Sequence, residues 1–315
     1  MPTNVSGQGT VWNLPNYSGE LFTADAENTP FLQMIGGLTG GGLQTQNFEF
    51  ATSSLYEYPE ATQPAISESA SVTAPTAINY VRDQSKNVTQ IFQESVSLTY
   101  AKQSNGGRLS GINTAGAQNN APSEKDFQIA RQLGKIGRDV EWTFLNGTYQ
   151  IATAANVPNK TRGMYQAAGT TIDAAGVRLS KPLLQQLFRE MYANGAIFSN
   201  VVLWLNAFNK QIVSDIYGYA PTDRNIGGVN IKQIETDFGN IGIMLNRFNP
   251  TTSLLVAEMS VVAPVFQPVP EKGNFFFEEL GKKGAADEGQ IYGQIGLDHG
   301  PGFMHGSITN LDDGE

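Results

Sequence analysis

The sequence contains two histidines, His299 and His305, both within DHGPGFMHG and preceded by Asp298. Two imidazoles and a carboxylate could ligate a metal. A zinc site, however, needs a third or fourth donor in reach, and a gap broken by Pro301-Gly302 brings none. A turn joining two strands is the expectation for this stretch. Glu278 and Glu279 are adjacent, and on a strand they point to opposite faces, which is wrong for a cooperating acid pair. Gly281-Lys282-Lys283-Gly284 has no following helix that opens on Ser or Thr, so it reads as a charged turn and not a phosphate loop. The glycines at 36–37 and 40–42 fit neither G-x-G-x-x-G nor G-x-x-x-x-G-K-[ST] and read as a flexible joint. No G-x-S-x-G elbow and no H-E-x-x-H is present. Cysteine is absent, which removes disulfides and thiolate metal sites. No catalytic residue, cofactor site or metal site is therefore expected, and an enzyme reading has no constellation to stand on.

The bulk composition excludes further classes. Net charge is −9, from 20 basic and 29 acidic residues without a basic run. A dedicated nucleic-acid binder would carry a basic patch. Hydrophobic residues make up 40%, enough for a core, while charged residues are only 16%, below the usual figure of about 25%. Gly, Asn, Gln, Ser and Thr fill the gap, as is common in extended proteins covered by copies of themselves. No apolar run reaches the roughly 18 residues that span a bilayer. The opening MPTNVSGQGTVWNLP lacks the basic start and apolar centre of a signal peptide, so synthesis in the cytoplasm is expected. Without such a signal, the triplet Asn87-Val88-Thr89 reads as a chance match to a glycosylation site.

One long helix organises the rest. Over Pro122–Gly147, Ser123 is placed to cap the start, and Ile129, Leu133, Ile136, Val140 and Phe144 fall on one face. Asn146-Gly147 ends it, with Gly147 expected in the left-handed conformation. Lys135–Asp139 and Arg138–Glu141 sit at i,i+4 and i,i+3, where opposite charges are neighbours. Gly134 and Gly137 each cost about 1 kcal/mol relative to Ala, and suggest that something packs close to the backbone there.

Before this helix, Leu43–Tyr58 and Asn87–Lys102 read as strands. In the second, Val96, Leu98 and Tyr100 alternate with Ser95, Ser97 and Thr99, the mark of a half-buried strand. The proline-punctuated stretch between them is too long for a loop inside a compact domain. The two strands and their loop read as a hairpin projecting from the body. After the long helix come helices at Leu179–Ala193 and Ala207–Tyr217, a buried strand at Val201–Leu205, and a loop at Thr222–Gly228. Strands follow near Val229–Thr236, Ile241–Phe248, Leu254–Glu258, Val261–Phe266, Phe275–Glu279, Gln290–Leu297 and Gly306–Asn310. The order gives an α+β class.

Several segments in this order resemble the major capsid proteins of tailed bacteriophages with the Hong Kong 97-like fold. AENTPFLQMIGG resembles the family segment after the N-terminal arm. RDQSKNVTQIFQESVSLTYAKQS resembles the returning strand of its extended loop. GRDVEWTFLNG and the following TRGM resemble the centre and sequel of the spine helix. DFGNIGIMLNRF and EELGKKGAADEGQIYGQIGL resemble later strands. The resemblance covers about nine tenths of the chain, and is nearest the branch without a fused scaffolding domain.

It implies an N-terminal arm at 1–42 and an extended loop at 43–104. A peripheral domain with the spine helix is implied at 105–166 and 267–315, and an axial domain at 167–266. It also implies hexamers and pentamers that tile an icosahedral head around DNA held without specific contacts. Separate scaffold, portal and cement proteins are the expected partners, with no membrane. Assembly in the host cytoplasm is expected. Arg82, at the start of the returning-strand motif, and Gly134, Gly137, Arg138, Asp139 and Glu141 on the helix are the expected assembly residues. A bacterial nanocompartment shell of the same fold is the alternative, and another phage surface protein a more distant one.

Overall fold

The computed structural model describes residues 28–39, 41–56, 60–101, 124–217, 223–226, 229–281 and 284–314. The expected arm at 1–20, the Ser123 cap, the loop after Lys102 and the two lysines of the 281–284 turn lie outside these residues.

The long helix, α3, spans Glu124–Asn146. From Ile136 onward one face is sealed, with Ile136, Val140, Phe144 and Leu145 at most 1% exposed, while Trp142 on another face is 50% exposed. Earlier in the helix Ile129 is only partly covered and Leu133 is 40% exposed. The expected face is fully covered only in the second half of α3; in the first half Ile129 packs against the core, Lys125 lies over the Phe277 ring at 5.6 Å, and Leu133 is left at the rim. Gly147 is not left-handed. It is a glycine because a Cβ there would stand 2.4 Å from the Thr143 carbonyl and 2.6 Å from that of Thr161. The chain just after α3 returns past the end of the helix, and Gly163 N–H donates to the Gly147 carbonyl at 2.8 Å.

Two sheets flank α3. The larger has seven strands in the order β5 (Thr170–Asp173), β14 (Gly306–Thr309), β10 (Leu254–Glu258), β6 (Val201–Leu205), β9 (Gly239–Leu245), β8 (Val229–Thr236) and β7 (Asp223–Ile226). β7 lies where the sequence reading put a loop, and pairs antiparallel with β8. All residues of β6 and β10 are buried, because the sheet is covered on both faces, which suits continuous apolar runs. Val202, Trp204, Leu255 and Ala257 join the cluster around α3. Val201, Leu203, Leu254 and Val256 join a second cluster with Leu184, Leu187, Phe188 and Met191 of α5 (Lys181–Ala193). Pro182 sits in the first turn of α5, where its missing N–H costs nothing. The helix α6 (Ala207–Tyr217) adds Ile212 and Val213 to the same side.

The smaller sheet is built on β13 (Ala286–Asp298). One edge of β13 pairs with β4 (Gln90–Thr99), the other with β11 (Ala263–Phe266) and β12 (Phe275–Glu279), and β1 (Leu43–Gln44) runs parallel to β11. In β4, Phe92, Val96 and Leu98 are buried and Ser97 is exposed, the expected alternation. Its partner differs from the expected one. β4 pairs with β13 from Thr99↔Ala286 to Gln90↔Ile295, so it belongs to the body and not to the hairpin. The hairpin is β2 (Glu49–Tyr56) with β3 (Arg82–Val88), paired from Glu49↔Val88 out to Tyr56↔Arg82. Beyond the strands, residues 60–81 are all exposed and contain only the short helix α2 (Glu68–Ser71).

Candidate assembly surface

Three polar junctions fix how the hairpin, α3 and the N-terminal segment meet. The first is Glu141, fully buried in the α3 core. Its carboxylate accepts from Phe31 N–H at 2.9 Å, Leu32 N–H at 2.6 Å and Asn246 Nδ2 at 2.5 Å. The two backbone donors belong to the first turn of α1 (Pro30–Met34), whose Thr29 makes no side-chain cap. The first N–H groups of any helix lack internal partners. Glu141 supplies the acceptor from a distant element and thereby clamps the TPF segment onto the spine, where Phe31 meets Trp204 edge-on at 5.2 Å. Burial pushes the Glu141 carboxyl up to about 7, while the three donors pull it the other way.

The second junction is Asn87, the penultimate residue of β3 and fully buried. It donates to the carbonyls of Leu297 (2.7 Å) and Arg162 (3.2 Å) and accepts from Arg162 N–H at 2.7 Å. Thr161 joins in, since its Oγ1 accepts from Leu297 N–H at 3.2 Å. The hairpin base is thus bolted to β13 and to the TRGM segment. A fully buried Asn87 also leaves no room for a glycan.

The third junction lies in the 298–305 turn. His305 Nε2–H donates to the His299 carbonyl at 2.6 Å, and Nδ1 accepts from Glu258 N–H at 3.3 Å. Those partners require the neutral Nε2–H tautomer. Burial pulls both imidazoles down to about 4. The Glu258 carboxylate accepts from the N–H groups of Ser199, Asn200 and Ser260. Among the described residues no cluster of His, Cys, Asp or Glu could hold a metal, and none of the helices is long and apolar enough to cross a membrane.

The expected assembly residues are distributed differently from one another. Arg82 is exposed where the hairpin ladder ends. Among the described residues no atom lies within 4 Å of a Cβ built at Gly134 or Gly137, so no close packing partner meets the backbone there, contrary to expectation; Gly134 is exposed and Gly137 buried. Arg138 does not pair with Glu141, and its Nε is buried without a partner. Lys135 binds Glu94 on β4 and not Asp139, because β4 runs alongside the helix. Asp139 stays exposed, its carboxyl pushed up mainly by partial burial. Lys125 reaches Glu279, and Lys272 reaches Glu278 at 2.5 Å, so the adjacent acids serve separate pairs. Sequence reasoning missed Asn87 and Asn246. Single polar residues inside apolar segments were the signal available for both.

One spine helix between two sheets, with a hairpin bolted at its base and projecting outward, is the Hong Kong 97-like fold of phage capsid proteins. The chain aligns with the capsid subunit of cyanophage A-1(L) at a TM-score of 0.64 and 10% identity, covering 98% of this chain and 99% of that one. The capsid protein of Myoviridae phage XM1 aligns at 0.59 and 12% identity, covering 94% and 96%. The SrpI encapsulin of Synechococcus elongatus PCC 7942 aligns at 0.55 and 9% identity, covering 87% and 86%. No curated protein sequence matches the chain. The chain belongs to the SU10 major capsid protein family, which it matches over residues 4–312. It is therefore a structural protein of the virion head.

Proposed function

We propose that this chain closes into hexamers and pentamers that tile an icosahedral shell around double-stranded phage DNA. The observation that carries this reading is the outer hairpin. Ile66, Val72, Ile78, Tyr80 and Val81 are each at least 53% exposed, and a two-stranded hairpin is marginal in water without a surface to lie on. Apolar groups left uncovered in a row are a surface for a partner. In a homo-oligomer of closed symmetry the partner is another copy.

The domain division follows the family, with arm 1–42, loop 43–104, peripheral 105–166 and 267–315, and axial 167–266, except that Gln90–Thr99 moves with the peripheral sheet. Arg82, Gly134, Gly137, Arg138 and Asp139 contact neighbouring copies; Glu141 acts from inside by holding the N-terminal segment on the spine. DNA is enclosed without specific contacts, since a net charge of −9 leaves few cations to grip phosphate. Separate scaffold, portal and cement proteins complete the head in the host cytoplasm.

Expression with candidate scaffold proteins, followed by size exclusion and electron microscopy, tests this. Closed shells of pentamers and hexamers are expected, and a persistent monomer under every condition rejects it. The likeness to an encapsulin supports a second reading, a nanocompartment shell. Particles purified from the native source separate the two, because a phage head contains nuclease-protected DNA and a nanocompartment contains protein cargo.

A further inference from the structure

The N-terminal segment is fastened to the body at one polar point. In and after α1, Pro30, Phe31 and Leu32 are buried, and Met34 and Ile35 partly so. Among the described residues, the only hydrogen bonds that join 28–39 to the rest of the chain run from the Phe31 and Leu32 N–H groups to Glu141. A helix of five residues does not hold itself together in water. Behind it lies a swivel. Gly36 and Gly37 stand at φ +114° and +70°, and among the described residues no atom lies within 4 Å of a Cβ built at Gly37. Beyond the swivel Leu38 packs on the core, and β1 is fixed to β11.

A charge sealed from water calls for a partner of opposite sign, and Glu141 has none. α1 carries no charge in PFLQM. On α3, Lys135 is paired with Glu94, Arg138 does not pair with Glu141, and Asp139 is exposed. After β9 comes neutral Asn246, with Arg247 exposed. From β6 comes Trp204, and burial keeps the Tyr165 hydroxyl protonated. Only neutral dipoles answer the carboxylate. Burial outweighs them and pushes the carboxyl up to about 7, whereas one swung free would titrate near the ordinary 4.5. The docked segment therefore holds a proton that the free one releases. That stabilisation is complete below the free value and lost as pH rises through the docked one. We propose that Glu141 is a proton-operated latch: neutral, it holds α1 on the spine; ionised, it lets α1 swing out on Gly36–Gly37 while both sheets stay folded. Release uncovers Phe31 and the Trp204 ring it meets.

Hydrogen exchange in dilute native subunit tests the latch, because the amides of Phe31 and Leu32 are the ones Glu141 accepts and their protection reads local opening. Exchange is followed at pH 5, 6, 7 and 8, with each rate divided by that of the unstructured peptide at the same pH. From pH 5 to pH 8 the protection of both amides is expected to fall about 70-fold, the ratio set by carboxyl values of 7 and 4.5. It should also lie at least tenfold below that of Leu203 and Ile295, inside the two sheets, at every pH. Low urea should leave it nearly unchanged, since a local opening exposes little surface. In Glu141→Gln the protection of α1 should be level with pH. Level protection in the unsubstituted protein overturns the latch. So does protection that matches Leu203 and Ile295 in size and urea dependence, which would mean that α1 opens only when the whole subunit unfolds. A Gln variant that keeps the fall assigns it to another group and overturns it equally. If that variant does not fold, the profile of the unsubstituted protein decides.

Discussion

Glu141→Gln separates the charge of the buried clamp from its shape. The folded carboxyl lies near 7 and the ordinary value is 4.5. Between those values the folded chain holds more protons than the unfolded one, so this site's contribution to stability falls as pH rises. Each pH unit of difference is worth about 1.4 kcal/mol. From pH 5 to pH 8 the native protein should therefore lose about 2–3 kcal/mol through Glu141 alone. Gln cannot ionise, so it loses none of this, although its amide leaves one helix-end N–H facing a donor at a constant cost of about 1–3 kcal/mol. The measurable quantity is the stability gap between the two proteins, read by urea unfolding of dilute subunit at pH 5, 6, 7 and 8. All other titrations cancel in that difference. The gap should move by about 2–3 kcal/mol in favour of Gln as pH rises. A gap that stays flat refutes the raised carboxyl. A gap that moves the other way shows that the three donors outweigh burial, and that the clamp is anionic throughout.

His299 and His305, held neutral near 4 against an ordinary 6.5, bind fewer protons folded than unfolded. Their contribution is complete above pH 6.5 and lost towards pH 4, by about 3 kcal/mol each; His305→Gln should flatten that acid limb in urea titrations. Gly147→Ala drives a Cβ into two carbonyl oxygens, and a loss of about 3 kcal/mol or outright misfolding is expected from thermal melts. Gly134→Ala meets open space, so the free subunit should gain about 1 kcal/mol while shell yield drops; unchanged assembly would show that no neighbour uses the notch. Amides of Ile66, Val72 and Ile78 should exchange within the dead time in free subunit and slowly in shells, since protection reports local opening.

What was legible in the sequence was local. The spacing from Ile129 to Phe144 gave the spine, and the fully apolar VVLWL gave β6. Alternation in β4 gave its two faces but not its partner, because period two says nothing about which strand lies alongside. The true partner is almost two hundred residues away. Short elements such as β5 and α4 (Met164–Ala167) carry too few residues for a period to show. Glu141 was expected beside Arg138 and among the assembly residues, not in the core. Yet Val140, Phe144 and Leu145 widen the apolar arc of α3 until Glu141 falls inside it, and that arc was the available signal. Gly147 and Gly163 illustrate the converse: a glycine announces a constraint, and only the fold shows whether that is dihedral angle or close approach.

The placement of β13 and β14 has a consequence for synthesis. β13 is the central strand of the smaller sheet, and β14 separates β5 from β10 in the larger. Until residues 286–309 have been made, β4, β11 and β12 have no common partner and β5 has none at all. A nascent or prematurely terminated chain therefore lacks the smaller sheet and leaves β5 off the larger one, and cannot present a finished hairpin foot to its neighbours on a polysome. Pairings this distant in sequence also make folding slow. Translation itself acts as a gate, and only completed subunits reach the pool from which a shell can grow.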